Sequence, residues 1–514
     1  MPSPDRNSLT EETEKPLGIP VPWWFTLSVL KLSTLLSFIE ERKKSMTTDI
    51  LIRGGTVISE SGRQRADLLC HEGRIAAVER DLEAPAGASV IDAGGCFVMP
   101  GGIDPHTHMQ LPMMGTVVAD DFFTGTAAGA AGGTTTILDF VGPDKGQSPL
   151  DALAAWREKA AKASIDYGFH MTVSWWGEGF AAEMPALVHD HGVTSFKFFL
   201  AYKGGLMLPD EEILAGFLRC RDLGALPQVH AENGELIAHL QRKLRAEGVR
   251  APAGHPLSRP SQCEGEATLR AITMAELLKM PLYVVHVSAA EAAEAIQKAQ
   301  ARGVGVIGET LPGFLAIDAS VYENPDFDIA AGHVMSPPYR PDGHPQALWK
   351  AVEAGTLSIT GTDHCCFTRA QKRLGEDDFT KIPNGCGGVE DRMNILWALG
   401  VEGGHISPER FVALTSANAA KTFNLWPRKG TLSIGADADI AILDPAKSKT
   451  ISASTQHQNT DFSVWEGRRL KGSVVHTVAG GRHLWADGDL RAEAGGGRYL
   501  PRAPFGSVYE NLRE

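Results

Sequence analysis

The chain has 514 residues, 43% of them hydrophobic and 22% charged, enough apolar material to bury a large core, which excludes a disordered or fibrous protein. A formal net charge of −13 leaves no basic stripe to follow phosphates and argues against nucleic acid as a partner. The seven cysteines form no C-x-x-C pair and no disulfide-like spacing, so reduced thiols in a cytoplasmic protein are expected.

Residues 1–45 read as a leader. Its segment 21–39 (VPWWFTLSVLKLSTLLSFI) is apolar, but Lys31 and several Ser and Thr interrupt it, so no stable membrane insertion is expected. Asp5, Glu11, Glu12 and Glu14 precede it and no small-residue cleavage site follows, which makes it a poor secretion signal. The leader reads as an over-extended start or an accessory amphipathic segment, and Met46 opens a stretch that reads as the beginning of a folded domain. Over 46–99, short β-branched runs broken by Gly and Asp predict strands and hairpins of a small sheet. The same texture returns over 426–490, in GTLSIGADADIAILD and GSVVHTVAGG, which predicts a β-sandwich assembled from both ends of the chain. Residues 491–514 form a tail, a candidate oligomer contact.

Between 100 and 425 apolar strands such as TTTILDFV, SFKFFLAY and LYVVHVS alternate with helical stretches such as LDALAAWREKAAKA and DEEILAGFLRCRDLG. Repeated strand-helix units over this length predict an α/β fold, a (β/α)8 barrel of the TIM type. In such barrels the reactive groups come from the C-terminal ends of several strands. His106, His108, Lys197, His230, His286 and Asp363 each close or nearly close a predicted strand. A lone strand-end histidine is more often an ordinary hydrogen-bonded residue; the joint pattern points to a site for two divalent metal ions around one water, in a metal-dependent hydrolase. In the run that ends PHTH, the spacing of His106 and His108 on an extended strand puts both imidazoles on one face.

Lys197 lies in the apolar run SFKFFL, where an unpaired ammonium is costly to bury. It either snorkels or pairs with a carboxylate, or, as a neutral amine, takes up CO2 to become N6-carboxylysine. That carbamate is a two-oxygen anion able to bridge two metals.

The runs GGIDPHTH, SFKFFLAYKG, HAENG, VVHVS and GTDHC, in this order, resemble the cyclic amidohydrolases. More narrowly, THMQLPMMGTVVADDFFTGT, the GET of GETLP, MSPPYR and IPNGCGGVEDRM are similar to the dihydropyrimidinase and D-hydantoinase enzymes, a likeness that runs over residues 50–509. The resemblance implies that His106 and His108 bind the more buried ion and His230 and His286 the more exposed one. Carbamylated Lys197 would bridge both, and Asp363 would bind the first ion and act as general base, then general acid. Zinc is the expected metal, with manganese or cobalt also suited to these ligands. The resemblance further gives Tyr202 a role at the oxyanion, has the backbone at Ser336 and Asn384 grip the cyclic amide edge, and makes Leu111, Met113, Phe199 and Leu206 an apolar pocket for the ring substituent.

The implied reaction is hydrolytic opening of 5,6-dihydropyrimidines, as in pyrimidine catabolism, or of hydantoins, to N-carbamoyl amino acids. A small-molecule substrate and a homotetramer are implied with it. An allantoinase is the alternative; a dihydroorotase would need an arginine for the substrate carboxylate, and HTHMQLPMM offers none. A non-catalytic scaffold of the same fold would have lost ligands, whereas all six positions are filled here. Leu311, Ala289-Ala290 and Cys386-Gly387 depart from the pattern on the substrate side and leave the preferred ring open.

Overall fold

Eight apolar runs in the middle of the chain become eight parallel strands that pair strictly in chain order: Gly102–Thr107, Thr134–Val141, Asp166–Thr172, Ser195–Phe199, Leu226–His230, Leu282–Val284, Val306–Thr310 and Leu357–Thr360. They are seen in a computed structural model that describes residues 48–510. The predicted leader with its apolar segment, and the last four residues of the tail, lie outside these described residues. Nearly every strand residue is buried, which is why these strands read as continuous apolar runs and not as an alternation. A parallel bridge from Thr107 to His364 joins the first strand to the chain just beyond the eighth. The result is a nearly closed barrel.

Helices cover the strands and carry the expected end signals. Pro149–Ala160 starts on Ser148, whose hydroxyl accepts from the Asp151 N–H, with proline in its first turn. Asp210–Leu223 stops at Gly224, which adopts φ +65. A Cβ there would meet the Phe505 ring at 2.3 Å, so this glycine both ends the helix and admits the C-terminal segment, whose Phe505 N–H donates to the Gly224 carbonyl. No helix among the described residues is long and apolar enough to cross a membrane.

The two ends of the chain share one nine-stranded mixed sheet. Its seam is Phe97–Pro100, parallel to Ile50–Ser59 on one side and antiparallel to Ile440–Thr450 on the other. That seam strand runs through Gly101 directly into the first barrel strand. Only glycine fits at the junction, because a Cβ on Gly101 would lie 2.2 Å from the Thr135 hydroxyl. The mixed sheet therefore sets the direction in which His106 and His108 are delivered.

A buried ion cluster fastens the sheet to the base of the barrel. Lys429 Nζ contacts Asp166 at 2.6 Å, at the start of a barrel strand, Asp437 at 3.0 Å, and Asp439. Arg498 from the C-terminal segment reaches Asp166 at 2.7 Å and Asp437 at 2.8 Å. Against the burial that would raise it, Lys429 and Arg498 hold the Asp166 carboxyl below its ordinary 3.8. Its contribution is present above that value and lost as pH falls through the depressed one. Burial would lower Lys429, but the three aspartates raise it to about 12, so its contribution is full below the ordinary 10.5 and lost as pH rises through about 12.

Lys429→Met leaves Asp439 without an ion-pair partner among the described residues and takes one partner each from Asp166 and Asp437. We expect a loss of about 3–5 kcal/mol at neutral pH, which shrinks as acidification towards pH ~4 protonates them. Urea unfolding of both chains across that range checks it, and a gap that stays constant with pH would refute the electrostatic account.

Candidate metal centre and active site

The C-terminal mouth of the barrel gathers imidazoles, one amine and one carboxylate. His106 lies inside its strand and His108 just past it, their ring centroids 5.3 Å apart. Both Nε2 atoms approach the same Asp363 Oδ1, at 3.1 and 3.0 Å. His230 ends its strand and packs edge-on against His286 at 4.6 Å, and His286 in turn stacks on His106 at 5.3 Å. Lys197 Nζ lies 2.8 Å from His106 Nε2, over the faces of Phe140 and Phe199 at 4.3 and 5.2 Å. All six predicted residues thus form one continuous set of contacts.

Two buried glutamates decide which imidazole nitrogens stay free. Glu309 Oε1 accepts from the His286 backbone N–H at 2.8 Å and lies 2.8 Å from His106 Nδ1, so His106 donates from Nδ1 and keeps the Nε2 lone pair for the site. Its other oxygen accepts from the Tyr283 hydroxyl at 2.8 Å. Glu232 does the same for His230, accepting from its Nε2–H at 2.9 Å and leaving Nδ1 free. Against burial, the Arg259 guanidinium 2.6 Å away holds Glu232 down to about 2. Carboxylates behind imidazoles are the usual outer partners of metal-binding histidines.

The donor set fits divalent ions on its own chemistry. His108 Nδ1 and His286 Nδ1 are buried with no hydrogen-bond partner among the described residues, and such orphans cost about 1–3 kcal/mol each unless something binds nearby. Burial pushes His108 down to about 4 and His286 well below the ordinary range, which keeps both rings in the neutral form that ligates metal. Lys197 forms no ion pair with a carboxylate among the described residues, and burial lowers its amine to about 8. The ligand atoms of His106, His108 and Asp363 lie within 4.8 Å of one another and form a candidate metal-holding group. Asp166, Asp437 and Asp439 make a similar group, but Lys429 already fills it.

Three residues at this mouth adopt left-handed backbone: Tyr202 at φ +64, His286 at +38 and Asp363 at +50. For residues with a Cβ this costs on the order of 1–3 kcal/mol each, and the surroundings must hold it. Around Asp363 the holding groups are identifiable. Thr362 donates from N and Oγ1 to Asp104 at 3.1 and 2.6 Å, and His364 pairs with Asp120 at 2.9 Å.

All but one of the residues expected on the substrate side occupy two clusters. Tyr202 packs on His230 at 5.2 Å, under the Arg259 guanidinium at 5.3 Å. Its hydroxyl faces the Ser336 and Asn384 side chains, and burial raises its pKa, so it stays a proton donor. Asn384 Nδ2 donates to Ser336 Oγ at 3.0 Å. Phe199 belongs to this side, stacked on His230 at 5.4 Å. Leu111 and Met113 pack instead with Val118, Cys365, Cys366 and Phe367, beside the Asp363 loop. Leu206 is half-buried in a turn, and no core cluster among the described residues joins it to the other three. Glu309 and Glu232 had no assigned role in the sequence reading. Their signals were there: a carboxylate inside the buried run VGVIGETL, and one two places after His230 in HAENG.

Comparison with known proteins places this geometry. The amidohydrolase family pattern matches residues 97–484. The chain is 46% identical to a dihydropyrimidinase of Arabidopsis thaliana over 468 residues, covering 91% of this chain and 88% of that protein. It is 44% identical to a D-hydantoinase of Geobacillus stearothermophilus over 460 residues, covering 89% and 97%. The crystal structure of a dihydropyrimidinase from Brevibacillus agri superposes with a TM-score of 0.87 at 45% identity, covering 89% of this chain and 99% of that one. The chain belongs to the amidohydrolase family, in its dihydropyrimidinase and D-hydantoinase group.

Proposed function

We propose that this protein is a two-metal hydrolase that opens 5,6-dihydropyrimidines or hydantoins to N-carbamoyl amino acids. One observation carries the reading: four histidines, a buried lysine and Asp363 meet at the barrel mouth, with Glu309 and Glu232 turning free imidazole nitrogens inward. His106, His108 and Asp363 would hold one ion, His230 and His286 the other, and Lys197 as N6-carboxylysine would link them. Zinc suits this mixed nitrogen and oxygen set, as manganese or cobalt would. When bound, the ions supply hydroxide at neutral pH and polarise the ring carbonyl.

The chain's own groups do the rest. Asp363 accepts the proton of the attacking water and returns it to the departing ring nitrogen. The Tyr202 hydroxyl donates to the developing oxyanion. Backbone groups at Ser336 and Asn384 orient the amide edge, and Leu111, Met113, Phe199 and Leu206 receive the ring substituent. We assign residues 100–425 to the catalytic barrel, 46–99 and 426–490 to the β domain, and 491–514 to a contact in a cytoplasmic homotetramer.

Metal-depleted protein reconstituted with zinc and bicarbonate should regain about two ions per chain and open dihydrouracil and hydantoin faster than allantoin, with the N-carbamoyl product identified by mass spectrometry. Turnover of allantoin alone would make it an allantoinase; no turnover and less than one ion per chain would leave a scaffold.

A further inference from the structure

Lys372 ends the short helix Arg369–Lys372 and is completely buried. Its Nζ donates to three backbone carbonyls, those of Val334, Pro383 and Gly385, each at 2.7 Å. All three N–H donors are used, and no carboxylate pairs with the charge among the described residues. The Phe367 ring lies 5.6 Å away, and the ionisable groups acting on the ammonium are the thiols of Cys386, Cys365 and Cys366. Burying a cation against carbonyl dipoles alone is costly, and an apolar side chain would fill the same space more cheaply.

The three carbonyls belong to the two segments that carry Ser336 and Asn384. Those segments also meet through the Gly385 N–H, which donates to Val334 O at 2.9 Å, and through the Asn384 amide on Ser336 Oγ. The peptide groups at the tip are left over: the Asn384 N–H and C=O and the Ser336 C=O have no hydrogen-bond partner among the described residues. Pro383 C=O and the Asn384 N–H are the two ends of one peptide unit. A full positive charge on that carbonyl polarises the unit and strengthens its N–H as a donor. On the neighbouring residue, Gln371 Nε2 donates to Thr116 Oγ1 and Val117 O, so the same helix also ties the small hairpin formed by the antiparallel strands Pro112–Met113 and Thr116–Val117.

We propose that Lys372 is a positioning residue for substrate binding: its buried ammonium clasps the Ser336 and Asn384 segments and polarises the Asn384 peptide towards the amide edge of the ring. The inference rests on the cyclic amide reading above. Lys372 touches neither the ring nor the candidate metal ligands, so its effect belongs on KM and not on the chemical step.

The test uses the metal-loaded full chain and dihydrouracil. Lys372→Met should raise KM roughly ten- to a hundredfold, the scale of lost hydrogen bonds to a charged group, with kcat and metal content within about threefold of wild type. Lys372→Gln keeps two N–H donors without the charge and should give an intermediate KM, and it decides the matter if the methionine variant does not fold. A wild-type KM in either variant overturns the proposal, as does a parallel fall in kcat and bound metal with KM unmoved, the pattern of a purely structural lysine. Wild-type protein assayed alongside separates the two readings. If it opens neither dihydrouracil nor hydantoin, the functional reading fails instead, and calorimetric binding of dihydrouracil to the three chains makes the same comparison.

Discussion

Lys197→Ala is expected to lose both ions and nearly all ring-opening activity. Lys197 lies 2.8 Å from His106 Nε2, and its charge also acts on His230 and His286, so a carbamate built on it could serve both ions. Removing it takes a ligand from both. Loss of an outer partner alone costs about 10- to 100-fold in metal affinity, and loss of the shared ligand should exceed that. Metal analysis after dialysis and the rate on dihydrouracil are the measurements. Acetate or propionate, which can stand in as a small bridging carboxylate, should restore part of both in the variant. Unchanged metal content and rate would dispose of the bridging role.

Asp363→Asn separates chemistry from structure in the same way. The amide retains shape and one ligating oxygen, while the group that carries the proton is gone. General acid-base groups contribute about 10²–10⁴ in rate, so kcat should fall by that factor with KM within a few-fold. The loop should survive the change, because Thr362 on Asp104 and His364 on Asp120 hold it from either side. A variant with wild-type kcat would reduce Asp363 to a ligand only.

The barrel was legible because its strands are buried on both faces, which forces uninterrupted apolar runs, and because helices such as Pro149–Ala160 announce themselves with a cap and a first-turn proline. The candidate site was legible as a list, since barrel geometry makes polar residues at strand ends conspicuous. Its inner support was less so. Glu309 stands 203 positions from the histidine it orients, and nothing local in either segment announces the pairing. The apolar quartet shows the converse: Leu111 and Met113 share a cluster, whereas Leu206 is joined to none of the others by core packing.

What the sequence determined by itself is the fold class, the identity of the six strand-end residues and the type of chemistry they suit, because burial and residue chemistry are written position by position. Tertiary structure alone decided which imidazole nitrogen faces inward, that Tyr202, His286 and Asp363 bear left-handed backbone, and that Lys372 closes on three carbonyls. Those properties belong to pairs of atoms far apart in the chain. They exist only once the barrel has closed and the mixed sheet has joined the two ends.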